Sequence, residues 1–457
     1  MHKLIRIFCI LFAISLSSVS VFSQKITGAW SGTLNYGEFT LPIVFHIEEK
    51  DGIYITTMDS PFEGVKGFKT SATVLKNKKL TINIPKSLAV FKGKVKKNSI
   101  EGTFTQRGKV IPLVLTRGEV EFKRPQDPQK PFPYNSENVY FENEKAGITL
   151  AGTLTYPKIE DKFPAVVLIT GSGPQNRDSE LLGHRPFAVL ADYLTRNGIA
   201  VLRYDDRGVG ESQGIFRTAS ILDFATDALA AVSYLKTRNE IDHNKIGLIG
   251  HSEGGSVAFV LAGGDNDLAF IVSMAGATVR GDTLMKLQRY FLSKAAGLPD
   301  KHIEENEALV MQMYQIIEKH TVDSVFKYPD LFVDEVIPAK MKKNTLTRDA
   351  FKSELAWVAS PSMQFFLSYD PAEDLQKIKC PVLALNGDKD LQVPADITLN
   401  TIQKWVTNNL SVKKYPDLNH LFQHAKTGLP NEYGIIEETL SPEVLEDILL
   451  WLNEMTK

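Results

Sequence analysis

The spacing of apolar residues changes near residue 120, and this change divides the chain into two kinds of predicted structure. Upstream, Leu41, Ile43, Phe45 and Ile47 alternate with mostly polar neighbours, which is the period-two pattern of a half-buried strand. Other short apolar runs follow at close spacing, turn residues lie at or near the breaks between them, and no helical stripe interrupts the segment. The pattern therefore predicts a small antiparallel β domain over residues 24–120, folded as a barrel or a sandwich.

Downstream, apolar strands alternate with helical stretches, which is typical of a mostly parallel sheet with helices on both faces. The strands of this pattern are 165–169, 200–204, 245–249, 269–272 and 382–385, and the helices lie near 186–197, 222–236 and 254–263. An antiparallel pair of strands at 139–141 and 148–154 precedes them. A helical segment at about 278–370 breaks the alternation. Its size and its place predict a cap over the carboxyl edge of the sheet.

The segment 121–135 separates the two patterns. It holds four prolines between residues 123 and 134, and proline is excluded from helix interiors and central strands. We expect a semi-rigid linker here, so that the second domain covers residues 136–457.

The first residues carry the three-part pattern of a secretory signal peptide. A basic start with Lys3 and Arg6 is followed by an apolar run from Ile7 to about Leu16 and by small residues near Ser23. This run is shorter than the roughly 20 residues of a membrane span, so we expect cleavage after Ser23 rather than a retained anchor. The sequence thus predicts a signal peptide at residues 1–23 and an exported protein, either periplasmic or secreted, with no membrane span after cleavage.

Composition narrows the class of protein. The formal net charge is −2 and no long basic block occurs, which argues against a nucleic-acid partner. Of the two cysteines, Cys9 would leave with the signal peptide, and Cys380 alone permits no internal disulfide. No Cys/His spacing fits a zinc site, and the serine chemistry predicted below needs neither a metal nor a cofactor. The sequence does not determine the oligomeric state.

The segment Gly250-His251-Ser252-Glu253-Gly254 matches Gly-x-Ser-x-Gly, the pattern of a nucleophile elbow. A predicted strand ends directly before it, and a helix rich in small residues begins at its end. The sharp turn strains the backbone at Ser252, and side chains at positions 250 and 254 would collide across it. We therefore predict that Ser252 is a nucleophile exposed at the edge of the sheet.

A serine hydroxyl needs a base to take its proton, and in this arrangement a late histidine follows an acid in the chain. Two carboxylates, Asp388 and Asp390, come directly after strand 382–385, and we favour Asp390. The loop after the last short strand offers His420 and His424, of which His420 comes first and is favoured.

The charge that develops on the substrate oxygen during acyl transfer needs backbone donors. One is the N–H group of Glu253. The second should come from the glycine-rich loop 170–178, where either Ser172 or Gly173 would donate. No Gly-Lys-Ser/Thr follows these glycines, so they do not form a phosphate-binding loop.

With these motifs placed, residues 136–457 resemble the α/β-hydrolase family. The run 203–212 is similar to the family's Asp-x-Arg-Gly-x-Gly-x-Ser loop, which in relatives mainly braces the elbow, and the run 387–394 is similar to its Gly-x-x-Asp-x-x-Val-Pro acid loop, which implies Asp390. The layout of signal, β domain and Thr-Gly-Ser-Gly-Pro-Gln-Asn-Arg-Asp loop looks like that of bacterial secreted serine esterases. The family usually has His where Thr170 stands.

Together, these features predict an α/β-hydrolase fold with a helical cap, preceded by a small all-β domain. The resemblance implies a serine carboxylic-ester hydrolase that forms an acyl-enzyme on Ser252 and acts on short or medium acyl esters. A serine peptidase or amidase with the same residues is the alternative, but the upstream domain is too short for the four-blade propeller that would precede a prolyl-oligopeptidase relative, at roughly 40 residues per blade. A third interpretation, a ligand- or glycan-binding protein, rests on the β domain, whose Gly28-Ala29-Trp30 start is similar to that of lipocalin-like barrels.

Overall fold

The computed structural model describes residues 26–35, 40–61, 65–120, 123–159, 161–264, 266–337, 345–407 and 409–457. The predicted signal peptide lies outside these residues. The described chain falls into two compact units, a smaller one that ends at Val120 and a larger one that continues from there to Lys457. Within the described residues, no helix is long and apolar enough to cross a membrane.

The smaller unit is an antiparallel β-barrel, one of the two forms that the period-two pattern predicts. Its described strands are β1 (Gly28–Asn35), β2 (Thr40–Lys50), β3 (Ile53–Ser60), β4 (Val65–Lys69), β5 (Ala72–Lys76), β6 (Lys79–Ile84), β7 (Ala89–Val95), β8 (Ser99–Gln106) and β9 (Lys109–Arg117). They pair in the order β2-β1-β9-β8-β7-β6-β5-β3, pairing of β2 with β3 closes the ring, and β4 adds to β3. Closure removes the unpaired strand edges that would otherwise invite pairing with other chains.

Aromatic and aliphatic side chains pack inside the barrel. Trp30 is fully buried, and its indole nitrogen donates a hydrogen bond to the carbonyl oxygen of Ile26 at 2.7 Å. Phe45 and Phe91 are also fully buried and pack with ring centroids 5.8 Å apart. This inward-facing set fixes the register of the strands, because a slip of one residue would turn the apolar side chains toward solvent.

The larger unit has the architecture of an α/β-hydrolase. Its described strands are β10 (Asn135–Asn143), β11 (Ile148–Tyr156), β12 (Phe163–Ile169), β13 (Ala200–Tyr204), β14 (Ile241–His251), β15 (Ile271–Met274), β16 (Val382–Gly387) and β17 (Leu410–Tyr415). They form one sheet in the order β10-β11-β13-β12-β14-β15-β16-β17, in which the pairings from β13 to β17 are parallel. The carboxyl ends of the parallel strands therefore meet at one edge, which is where such sheets hold their functional loops.

Helices cover both faces of this sheet. The described helices of the unit are α1 (Pro186–Arg196), α2 (Ile221–Leu235), α3 (Glu253–Gly263), α4 (Gly281–Ala295), α5 (Asp300–Lys319), α6 (Val322–Lys327), α7 (Val333–Val336), α8 (Thr345–Val358), α9 (Pro361–Ser368), α10 (Ala372–Leu375), α11 (Ala395–Trp405) and α12 (Pro442–Met455). The apolar sides of α2, α3 and α11 share one core cluster with the sheet, and those of α1 and α12 share another. Helices α11 and α12 are additions to the predicted elements.

The insertion between β15 and β16 is helical and forms the predicted cap. Helices α4 to α9 lie in it, and it has an apolar core of its own around Val325 and Leu355, both fully buried. The cap is therefore a packed body of its own rather than a loop, which lets it hold fixed side chains over the sheet edge.

The proline-rich segment before β10 packs within the larger unit. The Arg124 guanidinium donates hydrogen bonds to the carbonyl oxygens of Leu182, Gly434 and Ile436 at 3.0, 2.8 and 3.0 Å. The side chain of Gln126 donates to the Leu440 carbonyl oxygen at 2.6 Å. This segment is thus fastened to the hydrolase unit along part of its length.

Candidate active site

Ser252 lies at a strained turn between β14 and α3. Its backbone φ is 53° and its ψ is −118°, a region that a non-glycine residue rarely adopts. A Cβ atom on Gly250 would lie 2.0 Å from the carbonyl oxygen of Gly254, and a Cβ on Gly254 would lie 2.2 Å from that of Ile169. Both positions therefore require glycine, and the structure has the tight strand-to-helix turn that the sequence pattern predicts.

His420 and Asp390 are in direct contact, although 30 positions separate them in the chain. The His420 Nδ1 atom lies 2.7 Å from Asp390 Oδ2, and the two residues are only 5% and 3% exposed. The other carboxylate oxygen, Oδ1, accepts hydrogen bonds from the backbone N–H groups of Gln392 and Val393, each at 2.8 Å. The carboxylate is thereby fixed on both sides, and it orients the imidazole.

The other acid and the other histidine considered from the sequence, Asp388 and His424, lie away from the cavity around Ser252. Asp388 Oδ1 accepts the backbone N–H of Asp417 at 2.7 Å and so closes a turn. The His424 side chain is 57% exposed and its Nδ1 lies 2.9 Å from Glu438 Oε2. The structure places neither among the residues that line the cavity around Ser252.

A cavity of about 1290 Å³ opens between the sheet edge and the cap. Ser252, Glu253 and His420 line its floor together with the predicted oxyanion residues Ser172 and Gly173. Its cap wall is mostly apolar and includes Leu284, Met285, Phe326, Trp357, Met363 and Phe366. The site can therefore hold an organic molecule against the serine and the histidine while excluding much of the water.

The glycine-rich loop after β12 passes directly over the elbow. A Cβ atom on Gly171 would lie 3.2 Å from the Ser252 Cβ atom, so this glycine permits the close approach. Gly173 has a φ of +89°, which also favours glycine. Ser172 and Gly173, the two predicted oxyanion donors, both border the cavity.

His251 contributes to the site in a way that the sequence does not indicate. Its Nε2 atom lies 2.9 Å from the backbone carbonyl oxygen of His420, and because that oxygen can only accept, Nε2 carries the hydrogen. Burial, and after it the neighbouring His420, lower the pKa of His251 to about 3. A neutral His251 thus braces the backbone of His420. The variable position of the elbow pattern gives no signal for this contact, which spans 169 positions.

A third histidine of the cavity wall, His184, lacks the partner that a general base needs. Its Nδ1 lies 2.8 Å from the Thr439 hydroxyl and its Nε2 lies 2.9 Å from the Tyr433 carbonyl oxygen, so no carboxylate orients it. Burial, chiefly, lowers the pKa of His184 to about 4. Among the residues that the structure describes, no group of three or more His, Cys, Asp or Glu side chains could hold a metal ion.

The fold, the strained serine and the oriented imidazole define a serine hydrolase of the α/β type. The chain belongs to the Hydrolase_4 family, described as serine aminopeptidase, S33, whose match covers residues 184–426, more than half of the chain. The matched region begins within the segment before α1 and contains Ser252, Asp390 and His420.

Named relatives extend the comparison. Esterase EstD of Thermotoga maritima is 26% identical over 363 residues, which are 77% of this chain and 75% of that protein. The quorum-quenching protein AidA of Acinetobacter baumannii is 25% identical over 274 residues, 57% of this chain and 81% of that protein. Among solved structures, the Pyrococcus furiosus esterase PF2001 aligns with 75% of this chain and 100% of its own, at 15% identity and a TM-score of 0.44.

Proposed function

We propose that this chain is a carboxylic-ester hydrolase that acts through an acyl-enzyme on Ser252. The observation that carries the proposal is the buried 2.7 Å contact between His420 and Asp390, in which His420 lines the same cavity as the strained Ser252. A relative that covers three quarters of this chain is named an esterase, which supports the ester over other substrates.

The proposed mechanism follows from these positions. Ser252 Oγ attacks the ester carbonyl carbon while His420 Nε2 takes its proton, and Asp390 stabilises the resulting imidazolium. The oxygen of the tetrahedral intermediate is held by the backbone N–H of Glu253 and by that of Ser172 or Gly173. His420 then returns the proton to the leaving alcohol, and water, activated by the same histidine, releases the acid.

The substrate class follows from the lining of the cavity. The apolar cap wall favours a short or medium acyl chain, or an aryl group, over a bare sugar. Release of p-nitrophenol from acyl esters of increasing length would measure this preference directly.

The first test is labelling of the serine. An organophosphonate probe should modify Ser252 in the folded protein, and Ser252→Ala should lose both the label and nearly all turnover of p-nitrophenyl butyrate. His420→Ala should lose turnover as well, whereas His424→Ala, the matched control, should keep it because His424 lies on the exposed loop with Glu438. Turnover retained in Ser252→Ala, or lost equally in the two histidine variants, would contradict the proposal.

A second candidate, an aminopeptidase, is favoured by the description of the family. Such an enzyme would have to bind the ammonium group of its substrate, and the carboxyl groups that line the cavity are those of Glu180 and Glu253. Burial raises the pKa of Glu253, which favours its neutral form and weakens it as an ammonium ligand. Rates on leucine p-nitroanilide and on the matched leucine p-nitrophenyl ester would decide between the two activities.

We also propose export, on the strength of the predicted signal peptide at residues 1–23. The mature protein should begin near residue 24, and it should be found in the periplasm or the medium. Amino-terminal sequencing of protein from those fractions tests this; an intact Met1 would contradict it.

A further inference from the structure

Three carboxyl side chains lie around one small internal cavity behind the elbow. They belong to Asp206, Asp227 and Glu253, and Thr170 also lines this space. Asp227 forms an ion pair with the Arg207 guanidinium, whose Nε and Nη2 donate to its two oxygens at 2.7 and 2.9 Å. Among the described residues, no cation pairs with Asp206 or with Glu253. Burying a carboxyl group without a neighbouring cation costs free energy unless hydrogen bonds satisfy it, so the hydrogen-bond partners of these groups matter.

The partners of Asp206 lie on the loop that passes over the elbow. Oδ1 accepts a hydrogen bond from the Thr170 hydroxyl at 2.6 Å, and Oδ2 accepts one from the backbone N–H of Gln175 at 2.9 Å. The backbone N–H of Asp206 donates in turn to the Gln175 carbonyl oxygen at 3.1 Å. The two side-chain contacts thus hold the loop on both sides of residues 171–174.

Residues 171–174 all border the cavity with Ser252. Whichever of Ser172 and Gly173 donates to the substrate oxygen, its direction is set by the two contacts that flank it. Removing a single oxyanion donor from other serine hydrolases lowers turnover by about 10²- to 10³-fold, so small changes in direction matter here.

We propose that Asp206 is the positioning residue of the oxyanion loop: its contacts with Thr170 and Gln175 hold residues 171–174 against the elbow. The inference rests on the proposed function. Asp206 occupies a variable position of the Asp-x-Arg-Gly-x-Gly-x-Ser pattern, and its partner Thr170 stands where the family usually has His. The threonine that replaces the family's usual His is therefore the hydrogen-bond partner of the acid at position 206.

The two side-chain contacts do not depend on the charge of Asp206. The Gln175 N–H can only donate and stays with Oδ2, whereas the Thr170 hydroxyl can rotate and accept a hydrogen from a protonated Oδ1. Burial, together with Glu253 on α3 and Asp227 on α2, raises the pKa of Asp206 to about 7. Tyr204 on β13 also faces this space, and burial raises its pKa, so it stays neutral. Both contacts can therefore persist whether the carboxyl group is charged or neutral.

The test compares Asp206→Ala and Asp206→Asn with wild type on p-nitrophenyl butyrate. Alanine removes both side-chain contacts, so kcat should fall by about 10²-fold while KM changes less than about twofold. Asparagine can donate to the Thr170 hydroxyl and accept from the Gln175 N–H, so it should restore most of kcat.

Thr170 supplies a second, independent arm of the test in case Asp206→Ala does not fold. Thr170→Val, which keeps the shape but removes the hydroxyl, should reduce kcat, and Thr170→Ser should restore it. Wild-type kcat in Asp206→Ala, a loss in Asp206→Asn as large as that in Asp206→Ala, or equal activity of the valine and serine variants would overturn the inference. Organophosphonate labelling of Ser252 in wild type separates this failure from a failure of the proposed function.

Discussion

The contact between Asp390 and His420 permits a sharp prediction about Asp390→Asn. In the wild type, Oδ1 accepts two backbone N–H groups, those of Gln392 and Val393, and Oδ2 faces His420 Nδ1. An asparagine amide nitrogen cannot accept those two donors, so its oxygen must take the Oδ1 place. The amide N–H₂ then points at His420 and forces Nδ1 to accept.

The consequence is a wrong tautomer. With Nδ1 accepting, the hydrogen of neutral His420 resides on Nε2, which can no longer take the proton of Ser252. The corresponding change in a chymotrypsin-like triad lowers kcat by about 10⁴-fold while leaving the geometry intact. At about 1.36 kcal/mol for each factor of ten, the barrier should rise by about 5.4 kcal/mol.

The assay is steady-state hydrolysis of p-nitrophenyl butyrate, with Ser252→Ala as the floor. Asp390→Asn should keep a melting temperature close to that of wild type, because it retains both backbone contacts. Asp388→Asn is the matched control: Asp388 also lies just after β16, but it serves a turn with Asp417, so kcat should stay within about twofold. An Asp390→Asn variant that retains more than a tenth of wild-type kcat would refute the assigned role.

Three further outcomes follow from particular side chains. His251→Phe, which keeps a ring but removes the donor, should lower kcat by loosening the backbone of His420. It should also reduce the acid sensitivity of unfolding, because the depressed pKa of His251 contributes stability that is present above about 6.5 and lost as pH falls toward about 3; urea titrations at several pH values would show this. Arg207→Met should lower the free energy of unfolding in urea by about 3–5 kcal/mol, because it leaves the buried Asp227 carboxylate without its cation; a change below about 1 kcal/mol would contradict the pairing. Burial raises the pKa of the Cys380 thiol to about 11, so a thiolate-specific reagent at pH 8 should modify it in denaturant but hardly at all in the native state.

The elements that the sequence predicts well are those with a single strong local signal. The central strands are buried on both faces and so appear as uninterrupted apolar runs, as at Ala200–Tyr204, where prediction and structure agree. Ser252 directly follows such a strand, and Asp390 lies three residues after another, so the local pattern is sufficient to predict both as candidates. His420 lies five residues after the partly polar strand β17 and is predicted as the first histidine of the loop that follows it.

Contacts that depend on tertiary packing could not be predicted in the same way. His251 reaches the backbone of His420, and Arg124 reaches carbonyl groups more than 300 positions away, and neither partner has a local pattern. The run 203–212 resembles a loop that braces the elbow. In the structure its two aspartates instead hold the loop after β12, Asp205 through the backbone and guanidinium of Arg177 and Asp206 through Thr170.

The order of the strands explains why these aspartates reach the oxyanion loop. Strand β12 lies between β13 and β14, with Leu168 paired to Arg203 on one side and to Ile249 on the other. Three residues further along, the register with β14 brings Gly171 level with Ser252, and the register with β13 leaves Thr170 beside the start of the aspartate loop. A sequence motif identifies the residues that follow each strand, but the order of the strands in the sheet determines which of these residues come into contact. The oxyanion loop is therefore held by residues that follow β13, and it faces the elbow that follows β14. An acid at position 206 can thus act on Ser252 through the loop without contacting it.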